Sequence, residues 1–231
     1  MIPLRDTNPR THFPWVTLSI ILLNCGVFFR ELTAGPAERA LLMDTYALIP
    51  ARSVAFFEGS PVAASLAIFP FLTSMFLHGG WMHLIGNMWF LWIFGDNVED
   101  RTGPLRYLAL YLCGGLAGAA AHVLFSADST LPTVGASGAI AGVMGAYLIT
   151  FPRARILTLV PIIFFLTTLE IPAYIILLYW LLLQFFSGAA SIASTDQAQG
   201  GVAWFAHIGG FAAGIPIMLL MRKPRRSRRS S

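Results

Sequence analysis

The stretch TVGASGAIAGVMGAYLIT, residues 133–150, is an apolar segment of helical length that consists largely of glycine and alanine. Its one serine, Ser137, lies near its start, between Gly135 and Gly138. In a membrane, small residues let the backbones of two helices approach closely, because helix association there depends on packing rather than on the release of water. The stretch therefore predicts a helix that another helix contacts closely beside Ser137.

The composition of the whole chain supports a membrane setting. Of its 231 residues, 56% are hydrophobic and only 11% are charged, and the mean hydropathy is +0.70. These values exclude an ordinary soluble globular domain. The net charge of +4 comes from the C-terminal run RKPRRSRR, which favours attraction to anionic lipid of the bilayer and gives no indication of nucleic-acid binding.

Apolar runs of suitable length predict an all-α membrane protein with six transmembrane helices and a long first extracytoplasmic loop. The predicted spans are about 15–30, 81–95, 104–125, 135–151, 172–190 and 203–221. Residues 1–14 then form a cytoplasmic N-terminus, residues 15–221 the membrane domain, and residues 222–231 a basic cytoplasmic tail. The apolar segment 156–165 is short, so we expect it at the membrane interface; a seventh span after span four is the rival topology.

The positions of the basic residues predict the orientation. With the N-terminus inside, twelve of the fifteen lysines and arginines lie on the cytoplasmic side, which satisfies the positive-inside rule. The cytoplasmic set is Arg5, Arg10, Arg101, Arg106, Arg153, Arg155 and the six basic residues of the tail. Both termini are therefore predicted in the cytoplasm.

This topology gives spans two, four and six the same direction across the bilayer. Each of the three carries strongly polar residues in its first turns: His83 and Asn87 in span two, Ser137 in span four and His207 in span six. His83 and Asn87 are four residues apart, which places them on one helix face. Polar groups inside a membrane are costly and usually functional, and here all four are predicted at one depth near the outer surface.

Together these residues have the chemistry of a serine hydrolase. A serine becomes a nucleophile when a neutral imidazole accepts its proton, and the resulting oxyanion needs hydrogen-bond donors. We expect Ser137 and His207 to form a catalytic dyad with Asn87 and His83 near the oxyanion, since spans two, four and six contain no Asp or Glu in their apolar parts. The small residues that would let spans four and six touch are Gly138, Ala141, Gly142, Gly145, Gly209, Gly210 and Gly214.

Three motifs resemble the rhomboid family of intramembrane serine proteases. They are HGGWMHLIGNM at 78–88, GASG at 135–138 and HIGGFAAG at 207–214, in the order and spacing that the family shows. The resemblance implies Ser137 as nucleophile, His207 as its partner, and His83 with Asn87 beside the oxyanion. It also implies supporting roles for Gly135, Gly138 and His78, and bracing of the cytoplasmic end by Glu99 and Arg101.

The sequence departs from the family pattern at two places. Some members carry a Trp-Arg pair where this chain has Phe69 and Pro70. Some have a tyrosine four residues after the serine, against which the catalytic imidazole rests, where this chain has Ala141. Neither departure removes a reacting atom, but each concerns a residue that in those members bears on the first loop or on the catalytic imidazole.

The resemblance implies cleavage of transmembrane segments of other proteins, without a cofactor or metal. We expect a multi-pass protein of a prokaryotic plasma membrane, with the loop STDQAQGG at 194–201 as a lid over the site; the sequence gives no oligomeric state. A catalytically inactive rhomboid-like protein that binds and escorts membrane proteins is the first rival function. A metal enzyme that uses His78, His83, His122 and His207 is the second, although the HExxH spacing is missing. A transporter is the third, although the chain has no inverted repeat of broken helices.

Overall fold

The computed structural model describes residues 1–162, 165–193 and 203–221. The predicted lid at 194–201 and the basic tail lie outside these residues. In chain order the helices are α1 (Trp15–Thr33), α2 (Pro36–Tyr46), α3 (Pro50–Phe57), α4 (Ala64–Ala67), α5 (Pro70–Thr73), α6 (Trp81–Thr102), α7 (Pro104–Phe125), α8 (Ser137–Thr150), α9 (Ala173–Ala193) and α10 (Trp204–Met221). The strands are β1 (Ile2–Asp6), β2 (Arg155–Ile162) and β3 (Phe165–Pro172).

Each of the six segments predicted as spans forms a helix. Within the described residues, four of these helices, α1, α7, α9 and α10, are long and apolar enough to cross a membrane. The other two differ in composition and length: α6 ends in the charged sequence GDNVEDRT, and α8 has only 14 residues. The chain is thus an integral membrane protein that is mainly helical.

The centre of the bundle is α8, the helix that the opening glycine-rich stretch forms. Its residues 138–147 are all buried, as expected for a helix that is apolar on every side and enclosed by others. α10 and α7 pack against it through glycines, and α6 lies on a further side. The residues of α8 therefore set the positions of the surrounding helices.

Two carboxylates hold α1 against the rest of the bundle. At its start, Glu99 of α6 accepts hydrogen bonds from the backbone N–H groups of Val16 and Thr17, both at 2.8 Å. A carboxylate suits this position because the first N–H groups of a helix lack partners and carry partial positive charge. At the other end, Glu31 is buried and accepts from the backbone N–H of His78 at 3.2 Å. The expected bracing role of Glu99 thus takes the form of a helix cap.

The chain is mainly helical, as predicted, and it also contains a small antiparallel sheet that the all-α prediction did not include. Its order is β1-β2-β3, with Ile2 opposite Leu159 and Arg155 opposite Pro172. The segment predicted at the membrane interface, residues 156–165, is rich in Ile and Phe, which favour strands. It forms β2, which pairs with β3 on one side and with β1, in the predicted N-terminal segment 1–14, on the other. The seventh span of the rival topology would have used this segment.

The sheet is joined to the helices through Asp6 at the end of β1. Its carboxylate accepts hydrogen bonds from the Tyr147 hydroxyl at 2.7 Å and from the Asn97 amide at 2.6 Å. Burial raises the pKa of the Asp6 carboxyl to about 6. Trp89 of α6 donates to the Pro3 carbonyl at 2.7 Å. The N-terminal strand is therefore fixed against α6 and the end of α8.

The long first loop folds into α2 to α5 and reaches the segment before α8. Leu48 and Thr133 exchange two backbone hydrogen bonds, of 3.0 and 2.8 Å. The Thr73 hydroxyl donates to the Tyr46 carbonyl at 2.8 Å, which ties the end of α5 to that of α2. Pro70, at one of the two departures from the family pattern, is buried as the first residue of α5. These backbone contacts anchor the loop.

Candidate active site

Ser137 and His207 meet as the sequence predicts. Ser137 is the first residue of α8, His207 is the fourth of α10, and Ser137 Oγ lies 2.7 Å from His207 Nε2. The His207 side chain is buried. A serine hydroxyl can only donate usefully to an unprotonated imidazole nitrogen, so this contact is the one that a general base requires.

The glycines of α8 and α10 produce this contact. A Cβ atom built on Gly210 would lie 2.0 Å from the Gly138 carbonyl oxygen, and one on Gly214 would lie 1.9 Å from that of Gly142. Both distances are far below any allowed contact, so the two backbones touch over a full helical turn. The close approach expected from the sequence is confirmed, and it brings the first turns of both helices together.

Three side chains that the sequence analysis did not select surround His207. Gln184 of α9 places its Oε1 atom 2.7 Å from His207 Nδ1. The Trp180 ring, one turn earlier on α9, lies 5.6 Å from the imidazole, and the Trp204 ring lies 6.3 Å away, edge to face. The signal that could have found Gln184 is its polarity, since it is the only strongly polar side chain in the run AYIILLYWLLLQFF.

His83 and Asn87 lie against the loop that precedes the serine. Gly135 has a φ of +125°, and a Cβ atom there would lie 2.6 Å from His83 Nε2 and 3.5 Å from Asn87 Nδ2. Both the backbone conformation and the lack of space require glycine at this position. The prediction that His83 and Asn87 share one face of α6 is confirmed, because both reach Gly135.

His78 supports Asn87 from the loop before α6. The Asn87 amide donates one of its two N–H groups to His78 Nε2 at 3.0 Å. Burial, together with the nearby His83, lowers the pKa of His78 to about 4. A neutral His78 can accept this hydrogen bond at neutral pH, which leaves the second N–H of Asn87 for another acceptor.

A small cavity of about 20 Å³ adjoins Ser137 and has the volume of roughly one water molecule. Its lining includes Gly135, Thr133 and His122. His122 is buried, with Nε2 2.9 Å from the Thr133 hydroxyl. The hydroxyl of Thr133 supplies the partner that makes burial of this histidine possible.

A metal enzyme would need several ligands in one place. Among residues 1–162, 165–193 and 203–221, no three His, Cys, Asp or Glu side chains are grouped so that they could hold a metal ion. His78 and His83 are close, with ring centroids 5.2 Å apart, but His78 Nε2 already accepts from Asn87.

Comparison with known proteins identifies relatives over the same region. The chain is 33% identical over 115 residues to "Presenilin-associated rhomboid-like protein A, mitochondrial" of Danio rerio, covering 48% of this chain and 30% of that protein. It is 44% identical over 77 residues to "Rhomboid protease GluP" of Bacillus subtilis, covering 33% of this chain and 15% of that protein. It is 30% identical over 159 residues to "RHOMBOID-like protein 4" of Arabidopsis thaliana, covering 65% of this chain and 34% of that protein. The matches thus span about a third or less of the length of these relatives.

The Rhomboid domain, as a protein-family model, matches residues 66–224, which include α6 to α10, Ser137 and His207. This range is more than half of the chain. The resemblance carried by the three sequence motifs is confirmed: the chain belongs to the rhomboid family.

Proposed function

We propose that this protein is an intramembrane serine endopeptidase that cleaves transmembrane segments of other membrane proteins through Ser137 and His207. The observation that carries the proposal is the 2.7 Å contact between Ser137 Oγ and His207 Nε2, which is partly buried where α8 and α10 meet. Membership of the rhomboid family and the similarity to a protein named a rhomboid protease support it.

In the proposed reaction, Ser137 Oγ attacks the carbonyl carbon of the scissile peptide bond while His207 Nε2 takes the hydroxyl proton. The carbonyl oxygen becomes negatively charged. The backbone N–H of Ser137 and the remaining N–H of Asn87 can donate to it, with His83 beside them. The protonated imidazole then gives its proton to the departing amine. Water, activated by the same imidazole, hydrolyses the acyl-enzyme and restores Ser137.

The substrate class follows from the setting. A transmembrane helix engages its carbonyls in its own hydrogen bonds, so the segment must unwind locally before Ser137 can attack. We expect helix-weakening residues such as Gly or Pro near the cleaved bond and a small side chain before it. By resemblance to the family, the substrate enters sideways past α9.

The proposed topology has six spans, both termini in the cytoplasm and the site near the outer face, with the basic tail attracted to anionic lipid. It rests on the distribution of basic residues in the sequence. Location in a prokaryotic plasma membrane stays a prediction. The relative from Bacillus subtilis agrees with this location, whereas the relatives named mitochondrial do not fit it.

Labelling with a serine-directed fluorophosphonate tests the nucleophile. We expect the purified protein in lipid to react, and we expect Ser137→Ala and His207→Ala to lose both the label and cleavage of a transmembrane substrate. Ser19→Ala, at an exposed serine whose hydroxyl bonds the Trp15 carbonyl, is the matched control and should keep both. A label that persists in Ser137→Ala would remove this residue from the mechanism.

Two further outcomes separate the rival functions. A folded wild-type protein that neither reacts nor cleaves, but still retains membrane proteins, would identify a non-catalytic rhomboid-like escort protein. Activity abolished by a strong chelator and restored by a metal ion would indicate the metal enzyme. The proposed protease keeps full activity in chelator.

A further inference from the structure

We infer that Gln184 is a positioning residue of the site, which holds His207 in the tautomer that carries its proton on Nδ1. This inference rests on the proposed protease function for its kinetic consequence, although the tautomer itself is a property of the folded protein. The sequence led us to expect a dyad without a third member. The structure supplies one from α9, with an amide in place of a carboxylate.

The orientation of the Gln184 amide follows from its two contacts. Its Nε2 atom donates to the backbone carbonyl of Trp180 at 3.2 Å, and its Oε1 atom lies 2.7 Å from His207 Nδ1. A carbonyl oxygen can only accept, so the atom facing Trp180 must be the NH₂ group. The oxygen therefore faces the imidazole, and because it can only accept as well, Nδ1 must carry the hydrogen.

This arrangement determines what the other ring nitrogen can do. A neutral imidazole carries one hydrogen, so a hydrogen on Nδ1 leaves Nε2 as an acceptor. Nε2 is the atom that faces Ser137 Oγ. In the opposite tautomer, Nδ1 and the Gln184 oxygen would face each other as two acceptors with no hydrogen between them. Gln184 thereby selects the form of His207 that can act as a base.

Gln184 also contributes after the proton has moved. The imidazolium that forms has an N–H at each nitrogen, and the Oε1 atom continues to accept from Nδ1. Hydrogen bonds from charged groups are stronger than those between neutral groups, so this contact strengthens as the reaction proceeds. An interaction that is stronger in the transition state raises kcat rather than substrate affinity.

The same helix compensates for the missing tyrosine of α8. Ala141 is buried and too short to reach the imidazole, whereas Trp180 lies beside it on α9. Trp180 and Gln184 are four residues apart and so share a face of α9. One helix therefore supplies both the ring that limits the tilt of His207 and the acceptor that fixes its rotation. This pairing explains how the chain retains an oriented base with alanine at position 141.

The test compares Gln184→Met, which has a similar length but no acceptor oxygen, with Gln184→Glu, which keeps one. In Gln184→Met we expect kcat to fall about 10- to 100-fold with KM unchanged. Gln184→Glu should restore most of the activity. Leu182→Met, at an exposed position on the same helix, should change neither constant.

A spectroscopic measurement separates positioning from simple packing. In protein labelled with ¹⁵N-histidine in lipid nanodiscs, nitrogen chemical shifts distinguish the two tautomers, and His207→Gln assigns the signals. We expect Nδ1–H in the wild type and in Gln184→Glu, and a mixture or Nε2–H in Gln184→Met.

The inference is overturned if Gln184→Met keeps the wild-type kcat, or if it lowers activity while His207 keeps the Nδ1–H tautomer. A wild-type spectrum with the hydrogen on Nε2 overturns it as well, even if Gln184→Met does not insert. Failure of the proposed function has a different signature, because Ser137 would then not react with fluorophosphonate while the tautomer of His207 could still be measured.

Discussion

His207 lies on α10, and its two neighbouring helices, α8 and α9, make different kinds of contact there. α8 meets α10 backbone against backbone, with Gly138 and Gly142 beside Gly210 and Gly214. α9 reaches the same histidine only through the tips of long side chains. The first kind of contact fixes the distance between two helices, because the touching atoms belong to the backbone and cannot move without moving a helix. The second fixes the orientation of one ring and can be changed one group at a time.

The largest effect should come from breaking the backbone contact. In Gly210→Val, the new side chain would occupy the position of the Gly138 carbonyl, and neither backbone can move without displacing Ser137 from His207. We expect a loss of about 3 kcal/mol or more in the free energy of unfolding and no cleavage. Thermal unfolding in detergent measures it. Gly26→Val, on α1 where a Cβ meets open space, should remain folded and active.

The next effect concerns a side-chain contact at the proposed oxyanion. Asn87→Ala removes one donor, and we expect kcat to fall by about 10² to 10³ with the fold retained. Steady-state cleavage of a transmembrane substrate measures it. Gly86→Ala is the neighbouring control, because nothing lies within 4 Å of a Cβ there, and it should cleave normally. An unchanged kcat in Asn87→Ala would exclude the amide from the reaction.

The next effect concerns the free energy of unfolding, which should depend on pH because of His78. Its pKa is about 4 in the folded protein and 6.5 ordinarily, so between these values the unfolded chain binds a proton that the folded protein does not. The stabilisation from a neutral His78 is therefore complete above pH 6.5 and lost as the pH falls towards 4. One pKa unit corresponds to about 1.4 kcal/mol, which gives a loss of about 3 kcal/mol.

His78→Gln should make the loss of stability between pH 6.5 and pH 4 smaller by about this amount, as unfolding at several pH values would show. Asp6→Asn provides a control of opposite sign. The pKa of Asp6 is raised from 3.8 to about 6, so its contribution is present below pH 3.8 and lost as the pH rises through 6. In Asp6→Asn this opposing contribution is missing, so stability should fall more steeply on acidification than it does in the wild type. A His78→Gln variant that loses stability in acid as the wild type does would contradict the assignment.

The smallest effect should come from the ring that lies beside His207. Trp180→Leu keeps an apolar side chain but removes the aromatic face, and aromatic pairs contribute about 0.5 to 1.5 kcal/mol. We therefore expect kcat to fall about two- to tenfold. Tyr179→Leu, at the neighbouring and more exposed position, should leave cleavage unchanged. A large loss in Trp180→Leu would show that α9 sets a distance as well as an orientation.

The backbone contact could be predicted from the sequence because its signal is local. Glycines three to four residues apart mark a helix face, and two such faces, each beside a polar residue, predict a meeting point. Ser137 and His207 were found in this way, and their contact is confirmed by the 2.7 Å distance. The four helices that are long and apolar enough to cross a membrane were predicted by the same kind of local pattern, namely the length of an apolar run.

The side-chain contacts of α9 could not be predicted in the same way. Which residues of a helix as apolar as α9 face the site depends on its rotation, and rotation is set by packing against helices distant in sequence. Trp180 therefore looked like any other apolar residue, and Gln184 like an isolated exception. The sheet was missed for a related reason, since β1 and β2 are more than 140 residues apart and each alone resembles an irregular or interfacial segment.

The two carboxylates of α1 have a mechanical consequence. Glu99 accepts hydrogen bonds from the first turn of this helix. Glu31, near its last turn, accepts from the backbone N–H of His78, and the His78 ring accepts from the Asn87 amide. The whole helix is 19 residues long, or about 28 Å, and the two anchors lie within its first and last turns. It cannot lean within the bilayer without pulling on one of them. A tilt of α1 would therefore be passed on, through the backbone and ring of His78, to the Asn87 amide that lies against Gly135.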